Sequence, residues 1–309
     1  MKTLFLYCFI LVFIIKINAQ VNLVPNPSFE TYSTCPDNFS QINYATGWYS
    51  ASAGTPDYFN ACQTISFGFG VPSNGAGFQV AQQGNAYAGV YVFGATPAPQ
   101  REYIQTQLLD TMKAGKPYCI SFYVNRSNYL NIAITQIGAF ISTTAVSSGT
   151  ELPLPYTPQI ISPVGYYLND TLPWIKISGT YIAIGGEKFI TIGNYKDEVS
   201  TDTIQTGSNL AGYYYIDNVS VIECEELIIP NIFTSNNDGV NDFFEIKNLP
   251  PNTSTQIFNR WGTKVFETNK SDVFWDGRTT GGIECVDGTY YYIITTEEEV
   301  YKGFLQLIH

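Results

Sequence analysis

The sequence predicts an all-β protein: an N-terminal β-sandwich of jelly-roll type followed by a small Ig-like β-sandwich. Three observations carry that expectation. Short β-branched and aromatic runs recur along the chain, punctuated by Gly, Pro and Asn, and almost nothing shows a helical period. Aromatic residues make up 15% of the chain, with 23 Tyr, which argues for packed cores and against disorder. Charged residues reach only 13%, roughly half the usual share.

The elements follow in order. Lys2 precedes an unbroken apolar run from Leu4 to Ile15, and Ala19 offers a small residue for cleavage before Gln20. Residues 1–19 are therefore expected to be a signal peptide. The run is short for a membrane anchor, and no second run of spanning length follows. The processed chain is expected to have no membrane-spanning segment. From residue 20 to 224 the strand candidates are Lys116–Val124, Asn131–Ile141, Trp174–Ile182, Lys188–Ile192 and Tyr213–Ile222. Gly185-Gly186 reads as a hairpin turn between the third and fourth of these. Glu102–Met112 fits both periods and is read as strand. Regularly spaced short strands imply a sandwich or jelly roll.

A boundary falls at Cys224-Glu225-Glu226. Beyond it, residues 227–309 offer about six strands, beginning at Ile228–Thr234. A hairpin over Gln256–Phe266 turns near Trp261-Gly262, and Thr289–Thr295 and Val300–Ile308 close the set. A small Ig-like sandwich is the ordinary answer to such a pattern.

After a leader is removed, five cysteines remain, and an oxidising exterior makes disulfides the default. Cys35 with Cys62 is the preferred pair, because both lie in one Gly/Pro/Asn-rich stretch. Cys119 with Cys224 is the second pair, leaving Cys285 free. No spacing matches a zinc motif. The formal net charge of −11 disfavours nucleic acid as a partner. The one histidine, His309, removes the usual Ser-His, Cys-His and His-metal schemes. Carboxylate pairs for glycoside hydrolysis remain, but no local pattern singles one out. The protein is expected not to be an enzyme.

Motifs of the C-terminal segment occur in a telling order. They are Pro230-Asn-Ile-Phe-Thr-Ser-Asn-Asn-Asp-Gly-Val-Asn-Asp-Phe-Phe244, Ile257-Phe-Asn-Arg-Trp-Gly262, Trp275-Asp-Gly277, Asp287-Gly-Thr-Tyr-Tyr-Tyr292 and Lys302-Gly-Phe304. This succession resembles the gliding motility-associated C-terminal domain, the type B sorting domain of type IX secretion in Bacteroidetes. Ser235-Asn236-Asn237 stands where that family usually shows Pro-Asn-Gly. The resemblance implies export in two steps, the type IX secretion machinery as partner, and a secreted or outer-surface location. Asn259, Arg260, Trp261, Gly262, Trp275, Asp276, Gly277, Lys302 and Gly303 carry the motif, with Trp261 and Trp275 expected in the core.

Residues 20–224 resemble carbohydrate-binding modules with the galactose-binding-like jelly roll. Asn22-Leu-Val-Pro-Asn-Pro-Ser-Phe-Glu30 opens the segment and Tyr215-Ile-Asp-Asn-Val-Ser-Val221 ends it. In such folds a structural calcium often joins the first strand to the last, which here implies Glu30 and Asp217, the plainer reading being that Asp217 makes turn or strand-end hydrogen bonds. A second acidic loop places Asn236, Asp238, Asp242 and Glu245 at calcium-loop positions, but Thr234 at the first position is a poor ligand and the flanks read as strands, which favours a plain Asn/Asp/Gly turn.

Trp48, Tyr58, Phe67, Phe69 and Tyr91 lie among loop-rich aromatics that could stack on sugar rings. Trp48, Tyr58, Phe69 and Tyr91 are the candidate ligand-binding residues, the plainer reading being core. Trp174, inside an alternating stretch, is assigned to the core. The functional expectation is a surface protein binding a glycan or another cell-surface component. The alternatives are a structural component of the cell surface or extracellular matrix and, behind it, a polysaccharide hydrolase.

Overall fold

A computed structural model describes residues 20–64, 68–94, 100–163, 165–224, 227–250, 252–296 and 299–309. The expected signal peptide at 1–19, Phe67 and Glu225-Glu226 lie outside the described residues. The chain divides into two units between Glu223 and Cys224. Among the described residues the only helical element is a single 3-10 turn, Ile42–Tyr44, and the rest of the regular structure is β.

The N-terminal unit is a sandwich of two five-stranded antiparallel sheets. One contains Trp48–Ser50, Ile104–Gln107, Phe189–Gly193, Gly138–Ser142 and Ile160–Ile161, in that spatial order. The other orders Ile175–Ile182, Pro117–Arg126, Ala211–Glu223, Ala86–Gly94 and Asp57–Asn60. From residue 86 onward the chain passes back and forth between the sheets, which is jelly-roll behaviour.

Alternation explains the second sheet. In Pro117–Arg126, Tyr118, Ile120, Phe122 and Val124 point into the main core, where Ile104, Ile141, Ile190 and Ile192 of the first sheet meet them. Ala211–Glu223 would lose this alternation over 13 residues, but a register shift between Asp217 and Ser220 corrects it. Asn218 takes φ 48° there, so Tyr214 and Ile216 before it and Val219 and Val221 after it all face the core.

Two strand expectations are corrected. Ile175–Ile182 and Phe189–Gly193 are not a hairpin: the first pairs with Pro117–Arg126, the second with Ile104–Gln107 and Gly138–Ser142 of the opposite sheet. Gly185 and Gly186, at φ 101° and 89°, turn the chain from one sheet to the other. Glu187 holds that turn by accepting the N–H groups of Ile184 (2.7 Å) and Gly185 (2.8 Å) and the hydroxyl of Tyr181 (2.7 Å). Likewise 131–141 is two strands, Ile132–Ile134 pairing with Thr203–Gln205 and Gly138–Ser142 in the first sheet.

In the C-terminal unit the regular strands form one five-stranded sheet: Ile232–Thr234, Val300–Ile308, Gly288–Thr295, Ser254–Phe258 and Lys264–Thr268. The first pair is parallel and the others antiparallel. Segments joined by isolated bridges, Phe244 with Trp275 and Ile228 with Lys247, supply the facing residues. Phe244 and Trp275 pack with Phe233, Ile257, Tyr290, Leu305 and Leu307 into one core.

Cys35 and Cys62 form a disulfide. Cys119 and Cys224 are disulfide-bonded as well, and Cys285 is a free, buried thiol.

Candidate functional site

The outer face of the second sheet of the N-terminal unit carries a row of aromatic rings. Tyr87 and Tyr91 of Ala86–Gly94, Tyr213 and Tyr215 of Ala211–Glu223, and Phe59 of the edge strand all project to this side, as period-two alternation requires. Residues near 69–82 cover one end of the row. There Tyr87 donates to Gln79 O (2.9 Å), Tyr215 to Asn74 Oδ1 (2.9 Å), and Trp174 Nε1 to Val80 O (2.9 Å).

The other end of the row stays open as a cavity of about 450 Å³, lined by Phe39, Ser40, Thr55, Asp57, Tyr91, Glu102, Tyr129 and Tyr213 among others. That volume suits a small ligand or one end of a larger one. Asp57 opens the edge strand and lies opposite Gly89. Tyr213 crosses over Gly89 and donates its hydroxyl to Asp57 Oδ2 (2.6 Å). The crossing needs glycine, because a Cβ there would lie 2.0 Å from the Tyr213 oxygen. Asp57 Oδ1 accepts the Ser40 N–H (2.6 Å). Glu102 Oε1 accepts the N–H (3.0 Å) and hydroxyl (3.2 Å) of Thr55, and its Oε2 accepts the Tyr91 N–H (2.8 Å).

Both carboxylates are buried, Asp57 at 4% and Glu102 at 6% exposure. Burial pushes the pKa of Asp57 up to about 6 against the pull of its Tyr213 and Ser40 hydrogen bonds. Burial, reinforced by the charge of Asp57, pushes Glu102 up to about 8. Phe39 closes one wall, its ring edge-on to Phe69 at 4.8 Å. The Cys35–Cys62 disulfide and the Gln63 Nε2 to Pro36 O bond (3.2 Å) tie down the loop that carries Phe39 and Ser40.

Of the four sequence candidates, Tyr91 alone lines the cavity. Phe69 stands one ring behind it. Trp48 is corrected to the main core, 2% exposed, its Nε1 donating to Asn26 O (2.8 Å). Tyr58 is corrected likewise: it alternates inward beside Asp57, is fully buried, and donates to Phe29 O (2.8 Å). Trp174 is only half-buried and packs in the outer aromatic cluster rather than the main core. Asp57, Glu102, Phe39, Tyr129 and Tyr213 were not singled out by sequence. The available signal was scarcity: in a chain with 13% charged residues, an acid beginning an aromatic strand (Asp57-Tyr-Phe-Asn60) stands out.

Glu30 and Asp217 both hold the turn at residues 82–85. Asp217 Oδ2 accepts the N–H groups of Gln82 (2.8 Å) and Gln83 (2.9 Å), and Glu30 Oε1 accepts that of Asn85 (2.7 Å). Burial first, with a contribution from the Glu30 charge, raises the Asp217 pKa to about 8. Both bring hard oxygens to that turn, and among the described residues no three His, Cys, Asp or Glu side chains gather into a metal group. In the second acidic loop, Asp238 Oδ1 accepts the Val240 N–H (2.8 Å), Asp242 Oδ2 accepts the Gly239 N–H (2.8 Å), and Asn236 Oδ1 accepts the Asp238 N–H (3.1 Å). Asn237, Gly239 and Asn241 all take positive φ, so the segment is a turn held by its own side chains, with Glu245 exposed.

The C-terminal motifs are corners of the second unit. Asn259 Oδ1 accepts the N–H groups of Trp261 and Thr263 (both 3.0 Å), and Gly262 at φ 78° completes that hairpin turn. Trp261 is corrected: it sits at the hairpin tip, 75% exposed, with the Arg260 guanidinium 4.9 Å from its ring centre. Trp275 is in the core at 1% exposure, Nε1 donating to Arg278 O (2.7 Å). Asp276 Oδ1 accepts the Arg278 N–H (3.0 Å) and Gly277 turns the chain at φ 82°. Lys302 is exposed on Val300–Ile308, and next to it Gly303 leaves room for Tyr292, whose hydroxyl oxygen a Cβ would meet at 2.2 Å. Residues 227–307 match the CHU_C type IX secretion signal domain.

This segment is a type IX secretion signal domain. Its presence implies handling by the secretion machinery and export to the cell surface or the extracellular space. Among the described residues no helix is long and apolar enough to cross a membrane.

A comparison with curated proteins finds no match. Among solved structures, the chain is similar to an arabinose-bound MgGH51 α-L-arabinofuranosidase, at 10% identity and TM-score 0.39, covering 66% of this chain and 27% of that one. The chain thus spans about a quarter of that enzyme's length. It is also similar to the CBM22-1 xylan-binding domain of Xyn10C from Paenibacillus barcinonensis, at 14% identity and TM-score 0.34, covering 65% and 93% of the two chains. The K3 cleaved adhesin domain of Lys-gingipain from Porphyromonas gingivalis gives 13% identity, TM-score 0.34 and coverage of 66% and 98%.

Proposed function

We propose that the N-terminal sandwich is a non-catalytic binding module that holds a glycan outside the cell, with the type IX secretion signal domain as the address that takes it there. One observation carries this reading: the open cavity combines aromatic side chains from Phe39, Tyr91, Tyr129 and Tyr213 with the carboxylates of Asp57 and Glu102. Rings offer flat apolar faces to sugar C–H groups, and carboxylates accept hydrogen bonds from sugar hydroxyls. Binding fits better than hydrolysis. Each carboxylate is already fixed by N–H and O–H donors from the protein, which shapes it as a positioned acceptor rather than a free nucleophile.

The exported protein applied to a glycan array should retain at least one ligand class, and Tyr91→Ala and Tyr129→Ala should weaken it. No ligand from any class would overturn the reading.

A calcium ion at Glu30 and Asp217 is a separate proposal, supported by the like charges those two side chains bring to one turn. It would offset their repulsion and tie residue 30 to the last strand of the sandwich. Calcium should raise the melting temperature and a chelator lower it; no shift with either would remove the ion and leave the glycan reading intact.

A further inference from the structure

We infer that the cavity takes a protonated amine, presented by an unacetylated amino sugar, with the ammonium seated between Asp57 and Glu102 beside the rings of Tyr91 and Tyr129. This rests on the reading of the cavity as the glycan site and names the chemistry it selects.

Four observations converge. First, among the described residues the lining contains no Lys, Arg or His, so no cation there neutralises the two buried carboxyl groups. Second, the one cation adjacent in sequence, Arg101, is committed elsewhere. Its guanidinium pairs with Glu198 (2.8 Å), donates to Lys196 O (3.2 Å), and lies 5.3 Å from the Phe93 ring centre. Third, the walls are rich in aromatic rings, whose faces attract cations, and carboxylates beside such rings strengthen that attraction. Fourth, the rims are accessible: Phe39 and Tyr129 are exposed at 43% and 42%.

Competing ligand classes fit less well. An acidic sugar would meet two carboxylates with no counter-charge. A neutral sugar brings no charge that could replace the proton the buried pair retains. A hard divalent ion prefers about six to eight oxygen ligands, where this cavity presents rings.

A proton balance makes the idea measurable. Glu102 faces Asp57 and the hydroxyls of Tyr91 and Tyr213, while Asp57 faces Tyr213, the Ser40 amide and Glu102. Burial holds both carboxyl groups above their usual range, Glu102 the further. An ammonium seated beside them favours the ionised forms, so at about pH 5.5, where the sugar amine already carries its proton, binding releases protons from the protein.

The test is isothermal titration of the full exported chain with a β-linked glucosamine trimer and with its fully N-acetylated counterpart, in two buffers of different ionisation enthalpy. The amine form should bind at least roughly tenfold more tightly and with proton release. Glu102→Gln and Asp57→Asn should each abolish that preference, with melting curves checking that the variants fold. Tyr129→Ala, at an exposed ring, should weaken the amine form without unfolding risk. Equal binding of both trimers, unaffected by the carboxylate variants, would overturn the amine assignment and leave glycan binding standing. Binding of neither trimer, nor of any other glycan, would bring down the glycan reading and this inference together. A lysyl peptide binding as tightly as the amine trimer would overturn the amino-sugar assignment.

Discussion

Asp57, Glu102 and Asp217 share an electrostatic character that gives the N-terminal unit a definite pH response. Burial raises all three, to about 6, about 8 and about 8. A carboxyl group whose pKa is higher folded than unfolded binds more protons in the folded state. Its stabilising contribution is complete below the unfolded pKa and is lost as pH rises through the folded value. Thermal stability of the ligand-free protein should therefore fall between about pH 4 and about pH 8. Glu187, Asp197, Glu223 and Glu267, shifted downward, act only below that window. Melting temperatures across the range check this, and Glu102→Gln should flatten the slope. A stability that climbs toward pH 8 would contradict the burial of these groups. The two tryptophans of the second unit make a contrast at the same scale. Trp275→Ala should cost about 3–5 kcal/mol of stability, because it empties a core site. Trp261→Ala should cost less than about 0.5 kcal/mol, because that ring is exposed. Denaturant melts of both variants decide it, and comparable losses would mean Trp261 is packed after all.

At the scale of elements, strands were more legible than their partners. Pro117–Arg126 announces itself by alternation, since every second side chain must enter the core, and Ala211–Glu223 by its run of aromatic and β-branched residues. Gly185-Gly186 looked like a hairpin because two glycines suit a tight turn, yet glycines serve equally where a chain crosses between sheets. Strand pairing distinguishes the cases, and pairing is a tertiary fact. The same limit applied to the site. Trp48 and Tyr58 share the aromatic, loop-rich setting of Tyr91, which leaves both core and ligand platform open. A shift of one position along a strand sends a ring inward rather than outward, and sequence alone did not fix that phase. Tyr91 lines the cavity, whereas Asp57 and Glu102 as a pair carry no sequence signal for it, because they meet across different elements. The Cys35–Cys62 pair was legible from its loop, and it has a consequence for the cavity. Closing 27 residues of separation stabilises by about 3–4 kcal/mol in the chain-entropy model. It also fixes the loop bearing Phe39 and Ser40. The double variant Cys35→Ser, Cys62→Ser should lose that stability and bind glycan more weakly. Full affinity in a folded double variant would show that the loop needs no tether.

For the whole molecule, the division of labour follows from two separate cores. The N-terminal unit builds a large two-sheet core and an aromatic cavity; the C-terminal unit builds its own core around Phe233, Trp275 and Leu307. Asn259, Gly262, Trp275, Asp276, Gly277 and Gly303 of that second unit are explained by a turn, a close approach or a core position, while Trp261 and Lys302 are exposed. An address with its own core can therefore fold without relying on the core of its cargo. The most direct measurement is fractionation of cells making the full chain beside a version ending before residue 227. The full chain should reach the surface or the medium, and the shortened chain should stay behind the outer membrane. Equal appearance of both versions outside the cell would contradict the role of residues 227–307 as the export signal.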